Sequence, residues 1–261
     1  MRRLSQIVLV AASLASLPTD AATACHAASA ELARPLIELY TSEGCDSCPP
    51  ADRWLAAHFD AAAAAPPAIA LAFHVDYWDR LGWVDRFAKA EYTERQYAEM
   101  RANRATFVYT PQILLQGRDF SDWRSADATP IDKAAHAKAG AKIALDVVPG
   151  AGDVVVHATA RVTGGTPAPD AALFVAYADS GLVSAVKAGE NRGRQLRHDH
   201  VVRALRQVAP APGEERIDAT VTLPRPAERG RHPQVVAFVQ RERSGDVLQA
   251  VALPLDDCTS P

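Results

Sequence analysis

Between Pro35 and about Gly140 short apolar runs alternate with amphipathic stretches, and beyond about Lys142 only strand-like segments follow. That change of texture restricts the architecture more than any single residue does. The runs "PLIELYTS" (35–42), "AIALAFHV" (68–75) and "PQILLQG" (111–117) are apolar enough for buried strands. Between them, 48–59 carries Trp54, Leu55 and Phe59 on one helical face, and 85–104 has the charge and apolar spacing of an amphipathic helix. The segment 131–142 suits a further helix. Strand, helix, strand, helix, strand predicts an α/β sheet with crossover connections over residues 31–141. From "KIALDVV" to "VLQAVALPL" the runs are strand-length and separated by Gly, Pro and Asp, which predicts an antiparallel β-sandwich or barrel over 142–261.

Charge and cysteine use narrow the function classes. The chain has 261 residues with 28 basic and 31 acidic side chains, a formal net charge of −3. Phosphate binding needs a clustered basic excess, so nucleic acid is not the expected partner. Arg2-Arg3, the apolar stretch "IVLVAASLASL" and the small residues after it read as an export signal, with cleavage after Ala24 or Ala30. Lipid attachment at Cys25 is a weaker reading, because Ala22 stands where a Leu is usual. Export predicts a periplasmic or secreted protein with no transmembrane segment once the signal is removed, in a compartment where disulfides persist. Four cysteines occur, Cys25, Cys45, Cys48 and Cys258. Cleavage after Ala24 leaves Cys25 and Cys258 as possible partners, and cleavage after Ala30 leaves Cys258 unpaired.

Cys45-Asp46-Ser47-Cys48 precedes Pro49-Pro50 and follows the first strand. Two cysteines at i and i+3 can close a disulfide at a helix start, where free N–H groups and a partial positive charge favour the reactive thiolate. Both prolines suit a first helical turn and neither suits the interior. Cys45 is then the expected nucleophile and Cys48 the resolving thiol. Thr110-Pro111 ahead of the third strand resembles the way thioredoxin-like domains place a cis-proline beside such a dithiol, which would leave the Thr110 backbone free to pair with an extended substrate.

The runs "IELYTSEGCDSCPPADRWL", "ALAFHVDYWDRLGWVDRFAKAEYTERQ" and "VYTPQILLQGR", together with "AVKAGENRGRQLRHDHVVR" (185–203), resemble a thioredoxin-like family of secreted bacterial proteins catalogued as a domain of unknown function. The resemblance covers nearly the whole mature chain. It implies a thioredoxin-like α/β domain followed by a β-rich domain, and brings no established substrate. No aromatic residue precedes Cys45 as in thioredoxin itself, and the second strand runs into the unusual "HVDYWD".

Further candidates surround this motif. Glu38 on the first strand could accept a proton from Cys48, or be an exposed strand-end glutamate. His74, Asp76 and Trp78 end the second strand, at the sheet edge where ligand crevices form, and could line a substrate site with Thr110 and Pro111. His74 and Asp76 could equally be hydrogen-bonded into the loop after the strand. Cys45, Cys48 and His74 would make a copper or zinc site, although copper-handling thioredoxin-like proteins space their cysteines three apart rather than two. Arg192, Arg194, Arg197, His198, His200, Arg203 and Arg206 read as a solvated hairpin, or as a docking surface for an acidic partner.

Three functions remain open on the sequence. The leading one is an exported thiol–disulfide oxidoreductase without a cofactor, acting with thiol- or disulfide-bearing proteins and a redox partner. The others are a metal-binding protein and a binding module with a structural Cys45–Cys48 staple.

Overall fold

A computed structural model describes residues 25–256 and Cys258, without 64–65, 126, 164–169, 212–213 and 215. The export-signal segment lies outside the described residues. The described residues begin with β1 (Cys25–Ala28) and β2 (Leu36–Thr41), then α1 (Pro49–His58), β3 (Ile69–His74), α2 (Ala90–Ala102), β4 (Gln112–Leu115), β5 (Arg118–Asp119) and α3 (Thr129–Ala135). Nine strands follow: β6 (Ala141–Pro149), β7 (Asp153–Val162), β8 (Ala171–Ser180), β9 (Leu182–Ala185), β10 (Gln195–His198), β11 (Val201–Val208), β12 (Arg216–Pro224), β13 (Arg231–Arg241) and β14 (Val247–Pro254).

Strand formation follows from composition. β2, β3 and β8 are buried along their whole length, as expected for apolar runs covered on both faces. β6 and β7 alternate buried and exposed positions, because one face packs inward and the other meets solvent. The helix predicted over 85–104 starts only at Ala90. Asp85 is buried instead, accepting hydrogen bonds from the N–H groups of Glu43 and Phe87.

The topology corrects the expected fold class. An α/β thioredoxin-like domain followed by a separate sandwich or barrel would need two sheets divided near residue 141. Instead β14-β13-β8-β11-β3-β2-β4-β5 form one eight-stranded mixed sheet that draws strands from both halves. The junction is β11 against β3, parallel, with Val201 opposite Ala72 and the Ala72 N–H bonded to His200 O at 2.8 Å. β2 and β3 are also parallel, and the remaining pairs in this sheet are antiparallel. The physical reason is edge pairing: β3 would otherwise present an open edge, and β11 meets it at Ala72.

A second, four-stranded antiparallel sheet, β1-β6-β7-β12, packs on the β8 and β13 part of the large sheet. The core between them includes Leu145, Val156, Val175, Tyr177 and Val235. The opposite face carries one continuous core, in which Tyr40, Phe73 and Tyr92 meet Phe174, Val236 and Phe238. Near the other end of the large sheet, Ile37, Leu39 and Ile113 pack against Ala51 and Leu55 of α1 and Ile131 of α3. Cys25 is disulfide-bonded to Cys258, so β1 and the C-terminal end are joined covalently. Among the described residues no helix is long and apolar enough to cross a membrane.

Candidate functional site

β2 delivers the chain to a loop in which Cys45 and Cys48 form a disulfide immediately before α1. Pro49 and Pro50 open the helix and contribute no N–H groups. The next two donors, Ala51 N and Asp52 N, both bond Cys48 O, at 2.8 and 3.2 Å. The helix start therefore keeps its dipole while its nearest amides are already engaged. The Cys45 sulfur contacts Ser47 Oγ at 3.3 Å.

Both cysteines are 0 % exposed. Trp78 lies close against Gly44 of this loop, where an added side chain would come within 3.1 Å of Trp78 Cβ and force its neighbour to shift by a few tenths of an ångström. Trp78 Nε1 donates to Thr110 Oγ1 at 2.8 Å, and the Thr110-Pro111 bond is cis. Gln96 of α2 secures the same turn, donating to Tyr109 O at 2.8 Å and Gln112 Oε1 at 2.9 Å. Trp78 thus links the loop of Cys45 and Cys48 to Thr110 and Pro111.

The other candidates are held elsewhere. Asp76 takes a hydrogen bond from Thr93 Oγ1 at 2.6 Å and anchors the chain to α2. Glu38 shares the face of β2 that carries Leu36 and Tyr40, whereas α1 packs on the Ile37 and Leu39 face. Its partner is Arg95 of α2, with Arg95 Nη2 at 2.6 Å and Nε at 2.9 Å from Glu38 Oε2. The Arg95 guanidinium also lies over Phe174, 4.7 Å from the ring centroid. Below it Glu99, pushed up to about 7 by burial, accepts from Gln240.

Glu43, Asp85 and Asn191, which the sequence did not single out, complete the surroundings of the disulfide together with His74 and His198. His74 Nδ1 lies 2.6 Å from Asp85 Oδ2, with both side chains fully buried. Glu43 accepts from Trp83 Nε1 at 2.7 Å. His198 of β10 stands between two carboxylates, with Nε2 3.4 Å from Glu43 Oε1 and Nδ1 3.8 Å from Asp52 Oδ1. Burial opposes a charge on His198, but Asp52 and Glu43 overcome it and push its pKa up to about 10. Burial likewise works against the Glu43 carboxylate, yet His198, Ser184 and Trp83 hold it below the ordinary range. Asp85 is also held low, chiefly by His74 against the opposing effect of burial. Asn191 is fully buried and donates to Glu43 O at 2.9 Å and Cys45 O at 2.8 Å. Glu43 stands two residues before Cys45, a spacing that could have flagged it; Asn191 and Asp85 left no such signal.

The arrangement can hold a disulfide that opens to a dithiol beside a buried set of paired charges. Among the described residues no three His, Cys, Asp or Glu side chains come together in a way that could hold a metal ion. Cys45 and Cys48 are bonded to each other, and His74 is engaged by Asp85.

Comparison with known proteins places the architecture. The family model described as "Protein of unknown function (DUF1223)" matches residues 36–240. A structural-genomics crystal structure of a protein from Agrobacterium tumefaciens is 27 % identical, with a TM-score of 0.58, covering 87 % of this chain and 96 % of that one. HBP35 of Porphyromonas gingivalis is 14 % identical with a TM-score of 0.60, over 87 % of this chain and 77 % of that one, a likeness of fold alone. None of the curated proteins shows a significant match.

Proposed function

The chain belongs to the DUF1223 family, and we propose that it is a thiol–disulfide oxidoreductase that uses Cys45 and Cys48. The observation that carries this reading is the Cys45–Cys48 disulfide at the head of α1, linked through Trp78 to Thr110 and Pro111. A partner thiolate attacks the Cys45 sulfur, forming a mixed disulfide as the bond to Cys48 breaks. Cys48 leaves with the electron pair and takes up a proton. A second partner thiol then attacks the mixed disulfide, releasing oxidised partner and the Cys45–Cys48 dithiol, and the reverse sequence reduces a substrate disulfide while the Cys45–Cys48 bond re-forms. Thr110, Pro111 and Trp78 flank the substrate in this scheme. The substrate is a thiol- or disulfide-bearing protein. Two disulfides suit an oxidising compartment such as the periplasm or the extracellular medium.

Cys48→Ala should trap a covalent mixed disulfide that Cys45→Ala does not form, and the wild type should reduce insulin in the presence of a thiol reductant. A Cys48→Ala protein that captures nothing, with a wild type inactive on insulin, would overturn the proposal. The complete burial of both sulfurs favours a second reading, a permanent staple. A reduction potential below about −300 mV, typical of structural disulfides, would select it.

A further inference from the structure

Between β9 and β10 the chain turns back on itself through residues 186–194, and this hairpin tip closes over the disulfide loop. We propose that the tip is a latch on the Cys45–Cys48 disulfide, and that it opens to a partner presenting carboxylates. The inference rests on the oxidoreductase reading above and adds to it the kind of partner and the control of access.

The tip is built as a compact unit. Gly189 and Gly193 both adopt positive φ, +70° and +81°, which lets the chain reverse within a few residues. Val186 N bonds Arg194 O at 3.0 Å, Gly193 N bonds Val186 O at 2.9 Å, and Arg194 N bonds Asn191 O at 3.0 Å. A side chain at Gly189 would come within 3.3 Å of Trp83 Cβ, so the tip lies directly on the residue that holds Glu43.

The grip on the disulfide loop is specific. The Asn191 amide spends both N–H groups on the loop, one on Glu43 O and one on Cys45 O. Neighbouring Glu190 accepts from Asp46 N at 3.1 Å. Three hydrogen bonds from two adjacent residues therefore hold residues 43–46, and with them the sulfur a partner must reach. Neither sulfur is accessible while they are made.

The outer side of the tip carries the handle. Lys187, Arg192 and Arg194 are exposed, and among the described residues none of them has an acidic partner within ion-pair distance. Arg194 Nη1 instead donates to Asn191 Oδ1 at 2.8 Å. A carboxylate makes a stronger, charge-assisted bond with a guanidinium than an amide oxygen does. A docked acidic segment would thus draw Arg194 away from Asn191 and loosen the residue that clamps Cys45. Negative charge on the partner also speeds the encounter with this cationic tip.

The test follows opening of the Cys45–Cys48 bond by alkylation and peptide mass, which separates it from Cys25–Cys258. With dithiothreitol, Asn191→Ala should be reduced about tenfold faster or more, the effect of losing two hydrogen bonds. Arg194→Gln should show a smaller acceleration, and near-ultraviolet dichroism checks that both variants remain folded. A cysteine peptide flanked by glutamates should react at least about tenfold faster than its lysine counterpart. High salt, or the combined change Lys187→Glu, Arg192→Glu and Arg194→Glu, should remove that advantage. Equal rates for the two peptides, or a folded Asn191→Ala protein reduced no faster than wild type, overturns the inference. Chemical reduction reads the latch whether or not the protein is an enzyme, so this failure is distinct from failed capture by Cys48→Ala.

Discussion

His198 carries the clearest pH signature of any single residue. Its folded pKa, about 10, stands above the ordinary histidine value of about 6.5. A raised pKa stabilises the fold fully below the unfolded value, and the contribution disappears as pH rises through the folded one. Stability should therefore fall between about pH 6.5 and 10, and His198→Gln should flatten that fall. Denaturant midpoints measured across this window decide it, and parallel slopes for the two proteins would count against the assignment. Glu43 and Asp85 act in the opposite sense, since both are held low. Their stabilisation is present above the ordinary carboxylate range and is lost on acidification. Glu38 poses a different question, because it was read from the sequence as a proton acceptor and lies against Arg95. Glu38→Gln removes the nearer of the two carboxylates beside buried Arg95, leaving Glu99 at 3.4 Å, and should cost about 3 kcal/mol. The Cys45–Cys48 potential should not move; a shifted potential with intact stability would return Glu38 to the dithiol.

Among the elements, β1 shows most directly what a short strand contributes. Its four residues pair with β6, Cys25 opposite Val147 and Ala28 opposite Ala144. Cys25 is also the strand's covalent tie to Cys258, across 233 positions of sequence. A chain shortened to begin at Glu31 loses the strand and the tie together. It should titrate one free thiol where the chain beginning at Cys25 titrates none. Its stability should drop by up to about 5 kcal/mol in the chain-entropy account of long disulfide loops. The same disulfide occupies the sulfur that a lipid anchor at Cys25 would need, so intact mass should show no acyl group there. Elements such as β2, α1 and β3 were readable in advance because their residues state their own burial. The start of α2 was not, since the segment before it is pulled out of a helix by the placement of Asp85 beside His74 and Glu43.

Across the whole molecule, the shared sheet makes a prediction about cooperativity. Phe73 and Tyr92 share one core with Phe174 and Phe238, and β3 pairs with β11. Neither half can unfold without exposing the other's apolar surface. Denaturation followed by tryptophan fluorescence should therefore coincide with that followed by far-ultraviolet dichroism, since all four tryptophans lie before residue 141 and most strands after it. Two separated transitions would show that the halves are held together less tightly than the common core implies. By itself the sequence determined most of the strands and helices, though not β1 or the start of α2, and that Cys45 and Cys48 stand together at a helix start. Local apolar patterning, proline placement and a three-residue spacing encode those properties within short stretches of chain. Tertiary structure alone decided that β11 joins β3, that Glu38 goes to Arg95, and that Asn191 and His198 close around the disulfide. The physical reason is that backbone N–H and C=O groups are alike at every position, so a strand's sequence does not name its neighbour. The partner of a buried charge is likewise chosen by whichever complementary side chain the finished packing brings within reach.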